Sequence, residues 1–220
     1  MATAQALIGE ERFLLEGIRW ETYEQLLEDV AQRHVRLTYD HGSLEFMTPS
    51  GIHEGFKSRI RRLIQSLTLE LDIPIRTGGS QTFKRRELES GLEPDECFWI
   101  AHEKEVRNKD EVKLPHDPSP DLAVEVEISR ALGNRAGVYA ALGVPEIWKF
   151  GGDTLEVLTL SGQGKYVRRK RSLAFPFLPL EELPRFIRND AELDETRLIR
   201  SFIEWIREQS WAHTKRRPRE

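Results

Sequence analysis

Cysteine is nearly missing from this chain: Cys97 is the only one among 220 residues. A single thiol excludes an intramolecular disulfide and any cysteine-built zinc site, and it fits a reducing compartment. Long apolar runs are missing as well. No stretch approaches the roughly 18 residues needed to span a bilayer, and Met1–Glu10 is neither basic nor apolar enough for a secretory signal. A cytoplasmic protein without a membrane anchor is therefore expected. No Gly-x-Ser-x-Gly elbow is present for serine-triad chemistry, and Gly78-Gly79 lacks the lysine and spacing of a phosphate-cradling loop. The six histidines are scattered without a pair at ligand spacing, so no zinc motif emerges. His53, beside Glu54, is expected at the surface.

A global positive field is missing too. Lys and Arg number 33 against 37 Asp and Glu, a net charge of −4, so any nucleic-acid binding must rest on local patches. Three basic clusters exist: Arg59/Arg61/Arg62, Lys84-Arg85-Arg86 and Lys165–Arg171. Each reads either as a solvated face or as a contact for phosphates. The chain is long enough to bury a core without staples. Its length fits one domain over 1–220, with a core of about 20–185 and a helical appendage of about 186–212.

Periodicity outlines the elements. Thr22 and Gln25 read as a capping box ahead of a stripe of Tyr23, Leu26, Leu27 and Val30. Val35–Asp40 and Ser43–Met47 flank His41-Gly42, a hairpin signature. Phe56, Ile60, Leu63, Ile64, Leu67 and Leu71 recur at helical spacing over His53–Leu71. Strands are predicted at Gln81–Lys84, Glu96–Ala101 and Asp121–Ile128, with the charge-rich Lys104–Ser119 between the last two as a surface loop. A helix over Ala131–Leu142 precedes a second hairpin, Glu146–Phe150 with Thr154–Leu160. Lys165–Arg171 reads as an edge strand and Asp194–Ser210 as an amphipathic helix. The order suggests an α/β (α+β) fold with one mixed sheet flanked by helices.

The chemistry-bearing stretch is Pro120 to Glu127. In a strand, Leu122, Val124 and Val126 point into a core, while Asp121, Ala123, Glu125 and Glu127 share the other face, with neighbouring carboxylates about 7 Å apart. Such carboxylates repel unless a divalent cation relieves them, and oxygen ligands suit Mg²⁺ or Mn²⁺ better than zinc. A solvated sheet face is the bland alternative. Asp95, after Pro94 and before a strand, can project onto the same face or act as a turn residue. Asp121 reads as a strand-entry residue bonding nearby backbone. Two carboxylates at this spacing would also suit an inverting glycosidase, but nothing outlines an aromatic-rich sugar cleft.

An acid after proline, followed by a strand bearing a second acid and a polar residue two positions on, resembles the PD-(D/E)XK nuclease signature. The run from Pro94-Asp95 through Pro120–Val126 to Tyr139-Ala140-Ala141-Leu142-Gly143-Val144-Pro145-Glu146-Ile147-Trp148 resembles more closely the Uma-type family, described as restriction endonucleases. The resemblance spans about Thr22 to Leu183 and implies a restriction-endonuclease-like fold, DNA as substrate, Mg²⁺ or Mn²⁺ as cofactor, and a homodimer. It places Asp95 and Glu125 on the metal-binding acids and Glu54 near an auxiliary acid. Glu127 stands where the superfamily carries lysine, and Arg135, four positions before Tyr139, stands where the family carries a compensating basic residue. Arginine stays charged and makes a poor general base. Arg135 would instead stabilise a charged transition state, with Glu127 orienting a metal-bound water. The alternative is a catalytically silent nuclease-fold protein that binds nucleic acid or a protein partner, with Arg135 ion-paired to Glu125 or Glu127.

Overall fold

The structure, a computed structural model, describes residues 10–209. Met1–Gly9 and the basic tail Lys215–Arg219 lie outside the described residues. The elements run β1 (Glu11–Leu15), α1 (Trp20–Asp29), β2 (Arg36–Asp40), β3 (Ser43–Thr48), α2 (Gly51–Glu70), β4 (Arg76–Thr77), β5 (Phe83–Arg85), β6 (Ser90–Leu92), β7 (Glu96–Trp99) and α3 (Glu103–Val106). They continue with β8 (Leu122–Val126), α4 (Arg135–Ala141), β9 (Glu146–Phe150), β10 (Leu155–Leu160), β11 (Tyr166–Arg169), α5 (Leu183–Arg188) and α6 (Glu195–Glu208).

The α+β character is as expected, but the strands divide between two sheets. One is antiparallel throughout, in the order β1-β3-β2-β6-β5; the other is mixed, in the order β11-β10-β9-β8-β7-β4. Its single parallel pair, β8 with β9, follows from α4, the crossover helix that a parallel connection needs. The β2–β3 hairpin turns on His41 and Gly42, with φ of 47° and 91°. Positive φ at both central positions matches the right-handed twist of the flanking strands.

Three apolar clusters hold the layers together. The largest packs Phe98, Leu122, Val124, Val126, Trp148 and Phe150 of the mixed sheet against α2, α5 and α6. A second lies on the opposite face, where Cys97, Trp99, Ala123 and Ile147 meet Val138, Tyr139 and Leu142 in and after α4. The third seats α1 on the antiparallel sheet through Trp20, Tyr23, Leu37, Tyr39 and Leu44.

Several boundaries differ from expectation for identifiable reasons. The helix α1 starts at Trp20, with Arg19 at its N-cap and no side-chain cap bond, so Thr22 lies inside the helix and no capping box forms. Ser50 accepts from His53 N at 3.2 Å, which starts α2 two residues early. Asn134 accepts from Gly137 N at 3.1 Å and delays α4 to Arg135. The expected loop 104–119 is anchored, because Val106 and Val112 are buried in the second cluster. β1 and α5 carried too few periodic positions to be read from the sequence. No helix among the described residues is long and apolar enough to cross a membrane.

Candidate active site

Strand β8 divides its side chains as alternation requires, with Leu122, Val124 and Val126 in the main core. Ala123, on the other face, is buried beneath α4, so that face is polar only from Glu125 onward. The antiparallel register of β7 and β8 pairs Glu96 with Val124 and Cys97 with Ala123. Asp95 lies just before β7, beyond the last paired residue. Its side chain meets His53 of α2 and Arg36 of β2, whereas that of Glu125 meets Arg135 and Tyr139 of α4. Asp95 is almost fully buried, and its Oδ2 accepts from Val126 N at 2.6 Å, closing the end of the ladder. On the other side of β8, Glu125 is in register with Lys149 of β9.

Each acid is already engaged. Arg36 of β2 ion-pairs with Asp95 and donates to Glu54 Oε1 at 2.9 Å, so one guanidinium joins these two acids. Lys57 bonds the other oxygen of Glu54 at 2.9 Å. Arg135, at the start of α4, donates through Nη2 to Glu125 Oε1 at 2.6 Å and to Glu93 O at 3.0 Å, while Nη1 reaches Thr38 Oγ1 at 2.5 Å. The Tyr139 hydroxyl, one turn on, donates to the same Glu125 oxygen. Glu127 is set apart from this knot: it accepts from Ala131 N at 3.2 Å and ion-pairs with Lys149. Glu125, Glu127, Arg135 and Lys149 line one cleft of ≈ 510 Å³. Asp121 behaves as a strand-entry residue, accepting from Ile100 N at 2.7 Å and His102 N at 3.0 Å.

His53 corrects the expectation of a surface residue. It is fully buried, with Nε2 3.1 Å from Asp95 Oδ2 and 3.6 Å from Glu10 Oε1. Burial, and next the nearby Arg36 charge, push its pKa down to about 4, so the neutral imidazole is held beside Asp95. A signal was present, since His53 lies seven residues before Ile60 and fourteen before Leu67, on the apolar stripe of α2.

Sequence reading also missed Glu10, Arg12, Arg36, Glu45 and Tyr139. Arg12 donates to Glu45 Oε1 at 2.6 Å and Glu10 Oε2 at 3.0 Å. Glu10 in turn receives Ser129 Oγ at 2.6 Å and Ser129 N at 3.1 Å, and Glu45 receives Gly133 N at 2.8 Å. The turn between β8 and α4 is thereby caged by Glu10, just before β1, and Glu45 of β3. Burial alone would raise the Glu10 carboxyl, but the Ser129 bonds and the Arg12 charge outweigh it and hold the pKa below the usual range. Glu93, with less compensation from Thr82, Arg36 and Arg135, is pushed up by burial. Apart from Arg12 with its neighbour Glu10, these pairings join residues far apart in sequence, and no local spacing encodes them.

The donor chemistry suits a hard divalent cation: Asp95 and Glu125 are carboxylates, the ligand type Mg²⁺ and Mn²⁺ take. Their oxygens are occupied by Arg36 and Arg135, and among the described residues no three His, Cys, Asp or Glu side chains are grouped as a metal site.

Comparison with known proteins decides the family. The family model Uma2, described as "Putative restriction endonuclease", matches residues 20–208. The chain belongs to the Uma2 family. No curated protein matches its sequence. Among solved structures it is similar to a "putative nuclease belonging to DUF820" from Anabaena variabilis, with 14% identity and a TM-score of 0.45 over 76% of this chain and 90% of that one. The Uma2 run Gly143 to Trp148 is structural here. Gly143 takes a φ of 77° at the end of α4, and Val144 and Trp148 are buried. Glu146, fully buried, accepts from Trp148 Nε1 at 2.6 Å, Leu173 N at 2.5 Å and Ala174 N at 3.0 Å. It ties the chain after β11 back onto β9.

Proposed function

We propose that this Uma2 protein is a divalent-metal-dependent endonuclease that hydrolyses phosphodiester bonds of DNA at the cleft around Glu125. The observation that carries the reading is the junction of acids at the ends of β7 and β8: Asp95 Oδ2 accepts from the N–H of Val126, the residue after Glu125, and Glu125, Glu127 and Arg135 line one cleft. Asp95 and Glu125 would hold Mg²⁺ or Mn²⁺. The bound ion would lower the pKa of a water and offset phosphate charge. Glu127, or Glu54 from the α2 side, would orient the attacking water. Arg135 keeps its proton, because Glu125 beside it outweighs the effect of burial, and would stabilise the charge that develops on the phosphate. Two copies would present two sites to the two strands of a duplex, and a homodimer working in the cytoplasm belongs to the same proposal.

One specific observation favours a second reading. Both proposed ligands are ion-paired to guanidiniums, as in a site that has exchanged metal for arginine and binds nucleic acid without cutting it. Cleavage assays on supercoiled and linear duplexes with Mg²⁺, Mn²⁺ or EDTA separate the two. The nuclease reading expects metal-dependent cleavage by the wild type and loss of it in Asp95→Asn and Glu125→Gln. Cleavage that survives both changes would sink it.

A further inference from the structure

The mixed sheet ends in a strand far more basic than the protein that carries it, and its position relative to the cleft is specific. Glu125 is in register with Lys149 and Lys149 with Glu156 of β10, while Leu158, two residues beyond Glu156 and lining the cleft, is in register with Arg168 of β11. Opposed residues and alternate residues of one strand share a face, so Glu125, Lys149, Glu156, Leu158 and Arg168 lie on one side of four consecutive strands. Three strand spacings cover about 14 Å, close to the rise of about four base pairs of duplex at 3.4 Å each. Beyond Arg168 come Arg169, which opposes core Val157 and so turns to the other face at the sheet edge, and then Lys170 and Arg171. All three are exposed, and they line hollows of ≈ 1130 Å³ and ≈ 540 Å³ around that edge.

The state of these cations differs from that of the arginines at the acids. Arg12 and Arg135 are consumed by buried partners. Arg168, itself exposed, has only the half-buried Glu156, at 3.1 Å, and pairs open to water contribute little. Arg169, Lys170 and Arg171 have no ion pair among the described residues. Charges on an edge strand also discourage strand addition, but Lys170 and Arg171 continue past the end of β11 at Arg169, where there is no ladder edge to protect.

We propose that the DNA backbone leaves the cleft across β9 and β10 over Lys149 and Arg168 and is held at the sheet edge by Arg169, Lys170 and Arg171. This inference rests on the cleft being the site of phosphodiester chemistry. It adds a binding surface that the acids do not require.

The test is fluorescence anisotropy of the full chain with a labelled duplex in EDTA, between about 50 and about 200 mM salt. Wild type is compared with R168Q/R169Q/K170Q/R171Q and Lys149→Gln, each checked for an unchanged fold by circular dichroism. Each phosphate contact contributes about −0.9 to the slope of log K against log salt. The quadruple variant is expected to lose about 3 units of that slope and at least tenfold in affinity at the low-salt end. Lys149→Gln is expected to lose about 1 unit. A quadruple variant with wild-type slope and affinity overturns the track while leaving metal-dependent cleavage intact as a separate result. A wild type that binds no duplex in EDTA also overturns the track, while cleavage with Mg²⁺ or Mn²⁺ decides the nuclease reading separately.

Discussion

Arg135 Nη2 donates to Glu125 Oε1 at 2.6 Å, inside a pocket closed by Tyr139, Thr38 and the carbonyl of Glu93. A helix that follows the acid-bearing strand thus returns a permanent cation to that acid. The pair serves the fold as well as any chemistry, and the two contributions are separable.

Arg135→Ala leaves Glu125 partly buried with no countercharge. Breaking such a pair from one side costs about 3–5 kcal/mol. Urea unfolding of the metal-free protein at neutral pH should show a loss of that order. Adding Mn²⁺ should restore part of it if the vacated carboxylate takes the ion. Stability unchanged within about 0.5 kcal/mol would mean that the pair is not formed as described.

His53 gives a pH signature. Its folded pKa is near 4, against about 6.5 when exposed, so the unfolded chain binds a proton that the folded chain refuses. Stability is therefore full above about pH 6.5 and falls as pH drops toward 4, by up to about 3 kcal/mol. Denaturation of the EDTA-treated protein at a series of pH values measures this slope. His53→Asn should flatten it between about pH 4 and 6.5; an unaltered slope would place the titration elsewhere.

Glu146 is expected to matter for stability and not for cutting. Glu146→Ala removes acceptors from Trp148, Leu173 and Ala174. Leaving buried donors unpaired costs about 1–3 kcal/mol each, so the melting temperature should fall by roughly ten degrees or more. Glu146→Gln, which keeps one carbonyl acceptor, should lose less. Comparable melting of both variants and the wild type would contradict the clamp.

Much of this was legible in the residues, for physical reasons. The strand at 122–126 announced itself by alternation, and the His41-Gly42 turn by its chemistry. The resemblance carried by Asp95, Glu125 and the run ending at Trp148 was confirmed by the family match over 20–208. What escaped was long-range. The arginine that holds both Asp95 and Glu54 comes from β2, and the acids that cage the turn after β8 are Glu10 and Glu45 of β3, 119 and 88 residues from their partners. Pairing across sheets leaves no periodic trace. His53 was misplaced because its polarity outweighed its position on the helical stripe.

Arg135→Lys tests the cationic role in catalysis. If Arg135 stabilises phosphate charge from a fixed guanidinium, lysine should retain the charge but lose the fork that reaches Glu125, Thr38 and Glu93 together. Metal-supported cleavage should then fall by about tenfold to a hundredfold with little change in duplex affinity. A faster lysine variant would indicate that a removable proton, and not a fixed charge, limits the reaction.

The most direct test of the central claim, that Asp95 and Glu125 together hold a divalent ion, is calorimetric titration of Mn²⁺ into wild type, Asp95→Asn and Glu125→Gln. The expected result is saturable binding by the wild type that displaces Arg36 and Arg135, and its loss in either variant. No measurable heat with wild type, or undiminished binding by both variants, would contradict it.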